Sequence, residues 1–216
     1  MKTDQIRAFY KFLQLTPAML RRVKRWSHYE ELRNNERETV ETHSLVTLWL
    51  GAAMLAIERK EGRHTLDVFR LLLAFAIHDL AEGKTGDVTY DVKNDPRIRK
   101  ILELIELEFV EGIFSSFPEV IREVFRDAYA VEGEKDTTID GRFFNAVERI
   151  GYMVFAVPQV KKGRRSFVKV FKNQHEPLLA LSEEFESVRL MYEPYREYVE
   201  QTLKREAARA VMDDDA

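Results

Sequence analysis

Two histidines stand where apolar stretches of this chain begin or end, and one of them is followed at once by an aspartate. His78 and Asp79 lie within Ala76-Ile-His-Asp-Leu-Ala-Glu-Gly-Lys-Thr-Gly-Asp87, with Glu82 and Asp87 close behind. Upstream, His43 in Glu41-Thr-His-Ser44 opens a second apolar stretch. Imidazoles and carboxylates drawn from separate helices make a nitrogen and oxygen metal site in a bundle. The bland alternatives are a capped helix end with solvated acids, and a buried histidine that only makes a hydrogen bond. Position favours the site. Glu82 shares a helical face with His78 and Asp79 if the helix continues. Gly83 and Gly86 then let the backbone turn and bring Asp87 back.

The elements that must position these groups read as helices throughout. Asp4 can cap a first helix carrying Ile6, Phe9, Phe12 and Leu13. Thr16-Pro17, Asp95-Pro96 and Ser116-Phe-Pro118 each read as a helix start with proline in the first turn. A long helix is expected from about Arg37 to Glu61, and the next, capped by Thr65, carries Leu66 through Ile77. Others are expected near 95–114, 118–131 and 140–157, with two more beyond Pro177 broken at Glu193-Pro194. Ser166–Phe171 is the one passable strand. Trp49 and the phenylalanines at helical spacing read as core, and the tail from Met212 to Ala216 is expected to fray. The expectation is one all-α domain over residues 1–216, with its motifs in 20–157 and a helical extension over 158–216.

Composition narrows the chemistry. The 216 residues contain no cysteine, which removes thiolate nucleophiles, disulfides and cysteine-bound zinc together. A net charge of -3 does not suit a general nucleic-acid binder. The longest apolar run, Leu48 to Ile57, is ten residues against the roughly 20 of a membrane span. Neither that run nor the charged N-terminus reads as a membrane or export segment, so a cytoplasmic protein is expected, with no membrane and no stable nucleic-acid partner. Gly83-Lys84-Thr85 resembles the end of a P-loop, but the first glycine of that motif would fall at His78, so it is set aside. The segment 161–172 holds six cations and no acid; it reads as a solvated face or a contact for polyphosphate.

Taken in order, Arg25-Trp26, Glu38-Thr-Val-Glu-Thr-His43-Ser44 and His78-Asp-Leu-Ala-Glu82-Gly-Lys-Thr-Gly-Asp87 resemble the HD-domain metal-dependent phosphohydrolases. The closer likeness is to their bacterial 5'-deoxynucleotidase branch. Thr42, between Glu41 and His43, departs from that pattern. The resemblance implies an HD-domain helical bundle with extra terminal helices, and a divalent ion (manganese, cobalt, zinc or magnesium) held by His43, His78 and Asp79. It implies that Glu82 activates water and Asp87 acts as a second acid-base group. It also places Arg25, Thr89 and Lys93 against phosphate and Trp26 against sugar or base. The family's last ligand is an aspartate, whereas this chain offers Glu148, with Asp140 and Asp136 as competitors. Deoxynucleoside 5'-monophosphates are the expected substrates. The rivals are a deoxynucleoside triphosphate hydrolase releasing triphosphate, and a weakened nucleotide-binding sensor. A homodimer or higher homo-oligomer is compatible with the resemblance.

Overall fold

Residues 3–93 and 95–214 are described by a computed structural model. Ten α-helices follow one another among these residues: α1 (Thr3–Arg22), α2 (Val40–Glu61), α3 (Val68–Ile77), α4 (Glu82–Thr85), α5 (Tyr90–Lys93), α6 (Pro96–Phe114), α7 (Glu119–Ala130), α8 (Ile139–Lys161), α9 (Val168–Glu184) and α10 (Glu186–Asp214). Short 3-10 turns join several of them, and no strand occurs among the described residues.

Side-chain caps set where the central helices start. Thr39 accepts the Thr42 N–H at 3.0 Å, Asp67 that of Arg70 at 3.0 Å, and Thr138 that of Gly141 at 3.0 Å. Each satisfies a backbone donor that the first turn leaves free. The starts expected at Arg37 and Thr65 therefore fall at Thr39 and Asp67. Asp95 with Pro96 caps α6 as the sequence suggests.

The core lies where α2, α3 and α8 pack together. Met54, Leu71, Phe75, Phe143, Val147 and Met153 are fully buried there. Gly51 is required at this junction, because a Cβ would run into the Phe75 ring. α9 and α10 pack on each other and against α8, and α10 also reaches α2. Buried Glu58 on α2 accepts the Ser187 N–H at 2.6 Å, tying the start of α10 to the core. Phe9 and Phe12 dock α1 through edge contacts with Phe117 and Phe125.

Four sequence expectations are corrected. Pro17 and Pro194 interrupt nothing; both sit inside helices, as do Pro158 and Pro177. Proline leaves the carbonyl four residues earlier without its helical donor. Those residues, Leu13, Leu190, Val154 and Asn173, are all exposed, so water can take over. The real break between α9 and α10 is Phe185, in extended conformation. Ser166–Phe171 is helical rather than a strand. Trp49 is exposed, because α2 buries the faces of His43, Thr47 and Met54 and turns Trp49 outward. α10 runs to Asp214, and residues 215–216 of the tail lie outside the described span.

By length and hydropathy α2 could cross a membrane, its most apolar window averaging 1.4. Here it is packed in the bundle and carries buried His43 and Glu58.

Candidate active site

His43 enters the site from the first turn of α2, and Glu148 from the middle of α8. His78 and Asp79 come from a 3-10 turn, His78–Ala81, that ends α3. Asp79, at φ -86° and ψ 16°, leaves the helical region. The helix expected to continue into Glu82 is therefore kinked, and α4 restarts at Glu82. All four of these residues and Glu82 are buried.

Their nitrogen and oxygen atoms converge. His43 Nε2 lies 3.6 Å from Asp79 Oδ2 and 3.4 Å from Glu148 Oε2. His78 Nε2 lies 3.3 Å from the same Asp79 oxygen and 3.4 Å from Glu148 Oε1. Atoms bound at about 2.1 Å to a common ion stand about 3.0–3.4 Å apart, so this spacing suits a shared cation. His43, His78 and Asp79 form a cluster able to hold a metal ion. His78 Nδ1 faces the Phe75 carbonyl at 3.1 Å. Donation of Nδ1–H to that carbonyl leaves the Nε2 lone pair aimed into the cluster. His78 Nε2 is buried with no hydrogen-bond partner, as a ligand nitrogen would be. The donor set of two imidazoles and carboxylates fits a divalent ion.

Charge follows this geometry. Burial would lower the His78 pKa, but Asp79 and Glu148 raise it to about 10. Burial likewise opposes ionisation of Glu148, yet His78 and His43 hold its carboxyl at about 2. Glu82 behaves oppositely: burial and the Asp79 charge push it up to about 7, against Arg25 and Lys93. One oxygen, Glu82 Oε2, is buried without a hydrogen-bond partner.

Around the cluster opens a cavity of about 600 Å³, lined among others by Arg25, Trp26, Asp79, Glu82, Asp87, Lys93 and Glu148. The segment before α2 is tied to it by backbone pairing, Arg25 N–H to Glu38 O at 2.8 Å and Val40 N–H to Val23 O at 3.1 Å. Arg25 donates to Asp79 and lies 3.6 Å from Glu82. Lys93 donates to Glu82 at 2.9 Å. Trp26 has φ 62°, a conformation costly for a bulky residue. It is held there by its N–H on Asp87 at 2.8 Å and by stacking on Phe155 at 4.9 Å. Gly86, at φ 77°, makes the turn that delivers Asp87.

Thr89 is not among the cavity-lining residues; its carbonyl instead receives the Val92 and Lys93 N–H groups that open α5. Of the competitors for Glu148, Asp140 is drawn to Arg70 at 3.9 Å, and Asp136 lines the cavity wall with Lys135 and Arg99. The basic segment is largely engaged: Arg164 pairs with Glu36, Arg165 with Glu206 and Lys169 with Asp91, while Lys161 lies over Tyr198. Glu38, at the head of the motif that ends in His43, approaches His43 Nδ1 at 3.7 Å. Tyr129 and Tyr152, which carry no sequence signal of their own, line the cavity. Only the helical phase of Tyr152, one turn after Glu148, could have pointed to it.

Comparison with known proteins gives a consistent picture. A family profile described as 5'-deoxynucleotidase YfbR-like matches residues 9–199. A 5'-deoxynucleotidase of Vibrio cholerae is 30% identical over 110 residues, 50% of this chain and 57% of that protein. One from Pectobacterium atrosepticum is 26% identical over 123 residues, 55% of this chain and 62% of its own length. The matches thus span less than two thirds of these relatives. In fold, the chain is similar to an HD-domain phosphohydrolase from Listeria innocua, with TM-score 0.73 at 16% identity over 95% of this chain and 99% of the other. A Pyrococcus furiosus protein of undescribed activity gives 0.62 at 21% identity over 89% and 98%.

Proposed function

Because the chain belongs to the YfbR-like 5'-deoxynucleotidase family, we propose that it is a metal-dependent phosphohydrolase that removes the 5'-phosphate from deoxynucleoside monophosphates. The observation that carries this reading is the meeting of His43, His78, Asp79 and Glu148 in one cavity with Glu82, Arg25 and Lys93. His43, His78, Asp79 and Glu148 would hold the ion. The chemistry supplied by a divalent ion there is screening of phosphate charge and a lowered pKa for coordinated water.

The chain's own groups do the rest. Arg25 and Lys93 meet the phosphate oxygens, Arg25 with a planar fork that suits them. Glu82, with its carboxyl near neutrality and within reach of Arg25 and Lys93, takes the proton of the attacking water. The water oxygen bonds to phosphorus as the bond to the 5'-oxygen breaks. Asp87 relays a proton to that departing oxygen, so that the nucleoside leaves as the alcohol. Trp26, fixed in its strained conformation, forms the wall against the sugar.

Two features favour monophosphates over triphosphates. Three cations of the 161–172 segment are already paired with carboxylates. The outer cavity lining sets Glu103, Glu106 and Asp136 against Arg99 and Lys135, an acidic excess that would repel a longer phosphate chain. Product analysis of the metal-loaded protein with deoxynucleoside mono- and triphosphates tests the proposal. Orthophosphate from the monophosphates is expected, and triphosphate release from any substrate would move the chain to the other reaction.

A further inference from the structure

Tyr152 follows Glu148 by four residues on α8, so both side chains project from one side of the helix toward the cluster. The tyrosine lines the cavity together with Arg25, Trp26 and Lys93. Its ring meets Trp26 edge to face, with centroids 6.1 Å apart and planes at 87°. That contact packs the tyrosine ring against the strained tryptophan. A packed tyrosine hydroxyl usually finds a hydrogen-bond partner. Among the described residues this hydroxyl makes no hydrogen bond, and the residue borders the open cavity. Its electrostatic neighbours are Glu148, Arg25, Asp79 and Lys93, the groups that surround the inner end of the cavity. Burial and the Glu148 charge push the phenol well above its ordinary pKa, so it stays protonated and able to donate.

We propose that the Tyr152 hydroxyl donates a hydrogen bond to a non-bridging oxygen of the substrate's phosphate, as a third phosphate-binding group beside Arg25 and Lys93. This rests on the phosphohydrolase reading of the same cavity. The chemical case is one of charge. Asp79, Glu82 and Glu148 set three carboxylates in the cavity beside Arg25 and Lys93, the two side-chain cations assigned to the phosphate. A neutral donor adds a phosphate contact without the cost of burying another charge. Tyr152 shares the cavity lining with Arg25 and Lys93 and feels the charges of both, which selects phosphate as the acceptor.

The test compares the metal-loaded wild type with Tyr152→Phe, which keeps the ring against Trp26 and removes only the hydroxyl. Metal content and melting temperature should be unchanged. Loss of a hydrogen bond to a charged acceptor should lower kcat/KM for deoxynucleoside monophosphates about 10- to 100-fold. Inhibition by inorganic phosphate should weaken with it, while inhibition by the phosphate-free deoxynucleoside should stay constant. Wild-type kinetics in the variant would overturn the proposal. So would weakened deoxynucleoside inhibition with phosphate inhibition intact, since that places the hydroxyl on the sugar. If the wild type hydrolyses no monophosphate, the phosphohydrolase reading fails by itself. Calorimetry with inorganic phosphate then still decides Tyr152, for which weaker binding in the variant supports the contact and equal binding refutes it.

Discussion

At the residue scale the account turns on which side chains hold the ion and which move protons. Both oxygens of Glu148 stand 3.4 Å from a histidine nitrogen, one on each imidazole. Glu148→Ala should therefore weaken metal binding at least 10- to 100-fold, the cost seen even for outer-shell partners of a metal site. Unchanged metal content in that variant would give the role to Asp136. Glu82→Gln should instead retain the ion and lose about 10²- to 10⁴-fold in kcat, the usual contribution of a positioned acid or base. A variant that lost the metal would make Glu82 a ligand. His43, His78, Asp79 and Glu82 stood out in the sequence because their types and short spacings already imply chemistry. Tyr152 did not. Its place in the cavity depends on how α8 is rotated, which no local pattern records.

At the scale of elements, the apolar periodicity made the all-helical class legible, and the capping residues located most starts to within a few positions. Prolines misled. Pro17 read as a helix start and Pro194 as a break because proline's missing donor suits only a first turn, but the exposure of Leu13 and Leu190 removes that penalty. Trp49 misled for the same reason in reverse: composition says core, and only the facing of α2 says surface. Placement of α8 depends on a close approach that is visible only in three dimensions. A Cβ on Gly141 would collide with the Glu134 carbonyl, a main-chain atom that cannot swing aside. Gly141→Ala should lift the start of α8 and cost about 1–3 kcal/mol of stability by chemical denaturation. A midpoint equal to wild type would show that the 131–138 turn yields freely.

At the scale of the whole molecule, folding and the site are linked through the ion. In the metal-free protein Asp79 and Glu148 hold the His78 pKa well above its ordinary value, so at pH 7 the imidazole carries a proton that metal binding must displace. Metal affinity should rise between pH 6 and 9 by about tenfold per unit for each proton released. Calorimetry in buffers of different ionisation enthalpy would check this, and binding without proton release would contradict it. Because α10 packs on both α2 and α8, we infer that residues 158–214 unfold with the rest. One transition by circular dichroism and fluorescence is expected, whereas two would separate the extension from the core. The most direct test of the central claim is orthophosphate release from deoxynucleoside monophosphates as metal-stripped protein is titrated with manganese or cobalt. The account predicts no release without metal and activity that rises to a plateau at one equivalent. Release that is indifferent to metal, or none at any stoichiometry, would contradict it.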